Sequence, residues 1–238
     1  MLKVNDMVIV FPQATLSFNN LFSEMIKKSK ASAFLDKSLS SYEMSKISMV
    51  ILIVLENPII ENYLNDYLCN STLVSDFRIV VLKKETSGSI CTTLMATPLL
   101  KNKKVIISAL DQIILGKKIN IDEIFNSQSC EVVVPTIISK NSLLSYVLKD
   151  DFGNVIQLFE KKLVSDEAIL GLYFFQNFSS FISTCYDLLL KYKGFKNRTF
   201  FTSDVINNLI MQDYKINFPL LELDYKKVKS IESLEKVL

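Results

Sequence analysis

The 238-residue sequence contains no histidine. Histidine-based triads, His-ligated zinc and imidazole general bases are therefore excluded. Glycine is scarce. Five occur, at positions 88, 116, 153, 171 and 194, and with none before residue 88 a glycine-rich phosphate loop near the N-terminus is excluded. Cys69, Cys91, Cys130 and Cys185 stand far apart with no CxxC pair, which fits reduced thiols, most of them packed in apolar surroundings, rather than a disulfide frame or a zinc site. Long hydrophobic runs are also missing. The longest, "ISMVILIVL" (47–55), is about half of the roughly 20 residues a spanning helix requires, and it reads as a buried strand. The opening "MLKVNDMVIVFPQ" lacks the basic, apolar and small-residue regions of a secretory signal, so a cytoplasmic protein is expected. Formal net charge is +2 with the charges scattered, which argues for neither nucleic acid nor an anionic membrane surface as a partner.

What is present is a recurrence of short β-branched runs. "DMVIVF" (6–11), "SMVILIVL" (48–55), "FRIVVL" (77–82), "KVIISAL" (104–110) and "CEVVVPTI" (130–137) read as strands buried on both faces. Residues 16–29, 57–69 and 88–100 between them carry helical periodicity. This alternation predicts βαβ units and a mainly parallel sheet. The second half differs. "SLLSYVLKDDFGNVIQLFEKK" (142–162) predicts a hairpin turning at Asp150-Asp151-Phe152-Gly153-Asn154. "AILGLYFF" (168–175) predicts a further strand, and 179–194 and 202–214 predict helices, the first with Gly194 as its C-cap. No repeat, low-complexity tract or linker divides the chain, so one domain over 1–238 is expected. Apolar side chains around Phe174, Phe175 and Phe178, if exposed, would permit a homo-oligomer.

One stretch carries chemistry. "KKVIISALDQIILGKK" (103–118) places Asp111 and Gln112 where an apolar strand ends. In an open parallel sheet, ligands bind at the carboxyl ends of strands, and a carboxylate there is placed to hold a hydrated Mg²⁺ against substrate phosphates. On pattern alone Asp111 serves equally well as a cap for the helix "IDEIF" or as a solvated loop acid.

The neighbouring segments resemble the nucleotidyltransferase-like proteins found with bacterial capsule and lipopolysaccharide genes, relatives of the sugar-phosphate nucleotidyltransferases. In "KKETSGSICTTLMATPLLKNKKVIISALDQII" (83–114) the matching run is Glu85, Thr86, Ser87 and Gly88, an Ala/Thr/Leu-rich helix, then Ala109, Asp111 and Gln112. "LKDDFGNVIQLFEKKLVSDEAILGLYFF" (148–175) is similar to the family's hairpin, its Glu-Lys pair at Glu160-Lys161 and its Gly-x-Tyr-Phe strand at Gly171 and Tyr173. "NRTFFTSDVINNLI" (197–210) matches a late segment. The resemblance spans about residues 44–210.

It implies a Rossmann-like, glycosyltransferase-A type α/β fold, with a mixed, mainly parallel sheet flanked by helices. It implies Mg²⁺-dependent transfer of a nucleotidyl group from a nucleoside triphosphate to a phosphorylated sugar or polyol. Asp111 would ligate Mg²⁺ and, with Lys161, carry catalysis. Thr86, Ser87, Gly88 and Gln112 would bind the nucleotide, and Glu160, Lys161 and Gly171 the acceptor. Gly88 also suits an ordinary turn, Glu160-Lys161 a solvated edge, and Gly171 and Tyr173 plain strand packing.

The chain departs from the family in two places. After the first strand, where relatives carry a glycine-rich loop with arginine and a Pro-Lys-Pro-Leu-like segment, it reads Pro12 to Phe18 without glycine, arginine or lysine, leaving Lys30 or Lys37 to stand in. Where relatives read Asn-Gly-Glu it has Asn197, Arg198 and Thr199, with Asp204 the nearest acid. Two further readings stay open: an impaired relative acting as a binding or regulatory partner, and a glycosyltransferase. The last normally needs Asp-x-Asp, where this chain has Asp111, Gln112 and Ile113.

Overall fold

The computed structural model describes residues 7–74, 76–126, 130–193 and 197–238. Along the chain these form β1 (Met7–Pro12), α1 (Leu16–Lys27), α2 (Ala31–Ser40), β2 (Met49–Leu55), α3 (Pro58–Asn70), β3 (Phe77–Leu82), α4 (Ser89–Leu94), α5 (Thr97–Leu100) and β4 (Lys104–Ser108). The second half continues with β5 (Gln112–Leu115), α6 (Ile121–Asn126), β6 (Val132–Val133), β7 (Thr136–Ile138), β8 (Tyr146–Lys149), β9 (Val155–Phe159), β10 (Glu167–Ile169) and β11 (Leu172–Phe175). It ends with α7 (Phe178–Lys191), α8 (Thr202–Met211), β12 (Ile216–Asn217), β13 (Asp224–Lys227) and α9 (Ile231–Glu235).

Among the described residues, a seven-stranded sheet runs in the order β12-β6-β11-β4-β1-β2-β3. β1 pairs in parallel with both β2 and β4, and β2 with β3, whereas β11 enters antiparallel between β4 and β6. The expected mixed, mainly parallel sheet flanked by helices is thus what the chain forms. Two smaller antiparallel sheets, β7-β10-β8-β9 and β13-β5, stand beside it.

The β-branched runs explain the central sheet. Alternate side chains of a strand face opposite sides, and both sides here are covered. Ile9 and Phe11 of β1 with Val50, Leu52 and Val54 of β2 join the core under α1, α2 and α3. Val8 and Val10 with Ile51, Ile53 and Leu55 join the core under α4, α7 and α8. Helix starts follow their local sequence. Thr15 Oγ1 accepts from the Phe18 N–H at 3.1 Å to open α1, and Asn57 Oδ1 accepts from the Ile59 N–H ahead of a helix whose first residue is Pro58.

Several expectations need correction. The run 130–137 is two strands in different sheets, because Pro135 lacks an N–H to continue the ladder. The run 168–175 breaks at Gly171, whose φ of +74° turns β10 in one sheet into β11 in another. The helix expected over 88–100 is two short ones, with Pro98 in the first turn of α5. α2 falls where no helix was expected. The 202–214 helix stops at Met211, and Gly194 lies outside the described residues. Phe174, Phe175 and Phe178 are at most 1% exposed, so they are core and offer no surface for a homo-oligomer. Phe175 and Phe178 instead pack against Phe181 at ring-centroid distances of 5.2 and 4.8 Å. Among the described residues, no helix is long and apolar enough to cross a membrane.

Candidate functional site

β4 sits centrally in the sheet, and its carboxyl end opens onto a cavity of about 300 Å³. The strand stops at Ser108, whose hydroxyl shares a 2.6 Å hydrogen bond with the buried Tyr42 hydroxyl. The chain then turns through Ala109 and Leu110, and the Gln112 N–H reaches back to the Ala109 carbonyl at 3.3 Å. Asp111 therefore lies in the turn between β4 and β5. It does not cap α6, which begins ten residues later at Ile121.

Asp111 is 8% exposed and Gln112 4% exposed. Burial of polar atoms requires partners, yet Asp111 Oδ1 and Gln112 Oε1 are both buried without one. The second carboxylate oxygen, Oδ2, is taken by the Lys229 ammonium. That lysine is brought in by β13. The β13–β5 register sets Lys227 opposite Gln112, and the Val228 N–H then donates to the Asp111 carbonyl at 2.7 Å. Residues two apart on an extended segment share a face, so Lys227 and Lys229 both border the cavity while Val228 is fully buried between them. The segment is anchored beyond by α9, whose first turn is capped by Ser230 and whose Ile231 and Leu234 are buried. Burial lowers the Lys227 pKa from the ordinary lysine value, Lys229 and Lys161 adding to the effect while Asp111 and Glu160 oppose it.

Glu160 and Lys161, which follow β9, also line the cavity. Glu160 Oε2 accepts from the Ser145 hydroxyl at 2.6 Å and from the Ser203 hydroxyl at 3.1 Å. Lys161, in a left-handed conformation (φ +51°), holds its ammonium 3.8 Å from Glu160 Oε1 and 5.3 Å from the Phe201 ring centre. Tyr173 also borders the cavity, and burial, with Glu160 and Asp204 nearby, pushes its phenol pKa up.

Of the residues expected from sequence, Asp111, Gln112, Glu160, Lys161 and Gly171 meet around this cavity. Gly171 has a definite reason to be glycine. A Cβ there would lie 2.5 Å from Gln112 Oε1. Thr86, Ser87 and Gly88 do not line the cavity, whereas the adjacent Ser89 does. A Cβ on Gly88 would lie 2.2 Å from the Phe200 carbonyl oxygen, so its glycine serves the packing of chain on chain. Thr86 is likewise turned inward, with its hydroxyl 2.7 Å from that of Thr92.

The region after β1 offers no cation. Pro12, Gln13 and Thr15 border the cavity. At the start of α1, two N–H groups are already engaged: Leu16 with Glu85 Oε1 at 2.6 Å and Phe18 with Thr15. Lys30 pairs with Glu235 at 3.4 Å, and Lys37 lines a separate cavity of about 1020 Å³ between α2 and α3. That larger cavity contains none of the buried unpartnered acceptors. Asp204 accepts from the Phe201 N–H at 2.8 Å as the opening of α8, and pairs with Arg198 at 3.3 Å.

The donor set does not fit a divalent cation. Two carboxylates, Asp111 and Glu160, are among the described residues lining the cavity. Lys229 already neutralises Asp111, Glu160 is engaged by Ser145, Ser203 and Lys161, and Lys227 adds a further ammonium nearby. Among the described residues, no group of three or more His, Cys, Asp or Glu side chains is arranged to hold a metal ion. What the site offers is three ammonium groups, for an anion, and buried acceptors, for hydroxyl donors. Lys227 and Lys229 were missed in the sequence because the motif-bearing segments end near residue 210. The available signal was "KKVKS", with lysines alternating around an apolar residue.

No family model matches the chain, and no curated protein matches it. Solved structures do. A nucleoside-diphosphate-sugar pyrophosphorylase from Vibrio cholerae is 16% identical, over 96% of this chain and 98% of its own, with a TM-score of 0.72. A putative glucose-1-phosphate thymidylyltransferase from Bacillus anthracis is 13% identical over 98% and 93%, also at 0.72. The inositol-1-phosphate CTP transferase from T. maritima is 11% identical over 98% and 94%, at 0.68. From end to end, this chain has the fold seen in these pyrophosphorylase and nucleotidyltransferase structures.

Proposed function

We propose that the β4 cleft binds a phosphorylated sugar or polyol, and that the chain is a nucleotidyltransferase-like protein whose principal role is to bind that ligand. The observation that carries this reading is the pairing of two needs in one cavity. Buried Asp111 Oδ1 and Gln112 Oε1 lack donors, and the ammonium groups of Lys161, Lys227 and Lys229 border the same space. Sugar or polyol hydroxyls supply the donors, and a phosphate supplies the anion. About 300 Å³ suits a ligand of that size. A role alongside capsule or lipopolysaccharide assembly, with a nucleoside triphosphate as second ligand, rests on the sequence resemblance.

Nucleotidyl transfer from a triphosphate is the second reading, favoured by the end-to-end likeness to the thymidylyltransferase and CTP transferase structures. It needs the triphosphate held in line and its charge neutralised. Here the loop after β1 has no cationic side chain, and Glu85 and Thr15 hold two of the first N–H groups of α1. The chemistry at that end is therefore weakly provided for.

Thermal melting with glucose 1-phosphate, inositol 1-phosphate and each nucleoside triphosphate tests both readings. At about 100-fold over Kd, a ligand that binds only the native state adds roughly 2.7 kcal/mol, which raises Tm by several degrees in a chain of this size. A rise with a sugar or polyol phosphate, and no pyrophosphate release from any triphosphate, is expected. Pyrophosphate release would establish the second reading. No rise with any phosphorylated ligand would remove the first.

A further inference from the structure

We infer that Lys227 and Lys229 stand where a divalent cation would otherwise act, so that the cleft takes the phosphate of its ligand directly onto ammonium groups and does so without Mg²⁺. The inference rests on the proposed ligand class and goes beyond it by assigning the phosphate subsite and its metal independence.

The backbone fixes the placement. Lys227 lies opposite Gln112 in the β13–β5 ladder, and the hydrogen bond from the Val228 N–H to the Asp111 carbonyl carries the pairing one residue further. Both lysines are thereby held at the edge of the same turn that presents Asp111. Val228, fully buried, keeps the alternation from slipping, because a one-residue shift would send both ammonium groups to the other face. The Lys229 side chain is about half exposed while that of Asp111 is 11% exposed, so the lysine reaches the buried carboxylate from the solvent side.

Charge decides between cation and anion. Lys161, Lys227 and Lys229 line the cavity with Asp111 and Glu160, leaving one positive charge in excess. Glu160 is already engaged by Ser145, Ser203 and Lys161. A divalent ion at Asp111 would have to displace Lys229 and sit beside Lys227. A phosphate meets the opposite situation. It gains two ammonium groups that the fold has brought together, and it offsets the repulsion between them. The buried, unpartnered Asp111 Oδ1 and Gln112 Oε1 then receive hydroxyls from the body of the ligand.

Calorimetric titration of the full chain with glucose 1-phosphate and with inorganic pyrophosphate, each in EDTA and in excess Mg²⁺, tests this. Binding in EDTA within about twofold of that in Mg²⁺ is expected for glucose 1-phosphate. Lys227→Met and Lys229→Met should each weaken it at least tenfold, and Lys229→Arg should restore most of the loss. In Asp111→Asn, whatever its absolute affinity, binding in EDTA and in Mg²⁺ should stay within about twofold of each other. Circular dichroism and melting confirm that each variant is folded, and the near-isosteric Asp111→Asn gives an answer even where a lysine variant does not fold. Binding that appears only with Mg²⁺ and is lost in Asp111→Asn would overturn the inference while leaving the ligand class standing. Absence of binding by either probe in both conditions would overturn both.

Discussion

Gly88 and Gly171 each lack a side chain for a different neighbour. Both stand out because glycine is rare in this chain, and both adopt positive φ, +120° and +74°. Gly171 belongs to the cleft, where it leaves room for the Gln112 amide. Gly88 instead touches the Phe200 backbone, whose N–H donates to the Ser87 carbonyl at 2.7 Å. Gly88→Ala would combine a strained φ with a collision against backbone that cannot rotate away. It is expected to destabilise by about 3 kcal/mol, a fall in Tm of roughly 6–12 °C, while a refolded fraction keeps its phosphate affinity. A larger loss of affinity than of stability, measured by melting and titration of the same sample, would return Gly88 to the binding site. Asp111 was legible as a strand-end acid. Its partner was not, since nothing in the residues around 111 signals that a lysine 118 positions later will reach it.

At the scale of elements, the β-branched runs were legible because strands buried on both faces need little beyond apolar side chains, as β1 and β2 show. The breaks were less so. Pro135 and Gly171 each cut an apolar run into two strands of different sheets, and composition alone does not say whether such a residue bends a strand or ends it. The hairpin was clear because its turn carries its own chemistry. Asp150 accepts from the Asn154 side-chain amide at 3.1 Å and from the N–H groups of Asn154 and Phe152 at 2.8 and 3.0 Å. These bonds, that of the Asn154 amide first, hold its carboxyl pKa below the ordinary aspartate range. A carboxyl whose folded pKa is depressed contributes stability above its unfolded value, near 3.9, and loses it as pH falls through the folded value. Asp150→Asn should therefore melt below the parent at neutral pH, and the two curves should converge once the medium is more acidic than the folded pKa. A difference that stayed unchanged however far the pH was lowered would show that the turn does not depend on the charge.

For the whole molecule, the parallel βαβ half and the late antiparallel strand β11 together place the end of β4 at the centre of the sheet, and the C-terminal β13 closes one side of that opening. The fold was legible from alternation and from the ordered motifs. The character of the cleft was not, because it is set by a contact between Asp111 and a segment beyond those motifs. The most direct measurement is a crystal soaked with glucose 1-phosphate and Mn²⁺, with data collected at the manganese edge. The phosphate is expected within hydrogen-bond distance of the Lys227 and Lys229 ammonium groups, with no anomalous peak at Asp111. An anomalous peak on the Asp111 carboxylate, with Lys229 turned away, would contradict a cleft that binds phosphate through lysine alone.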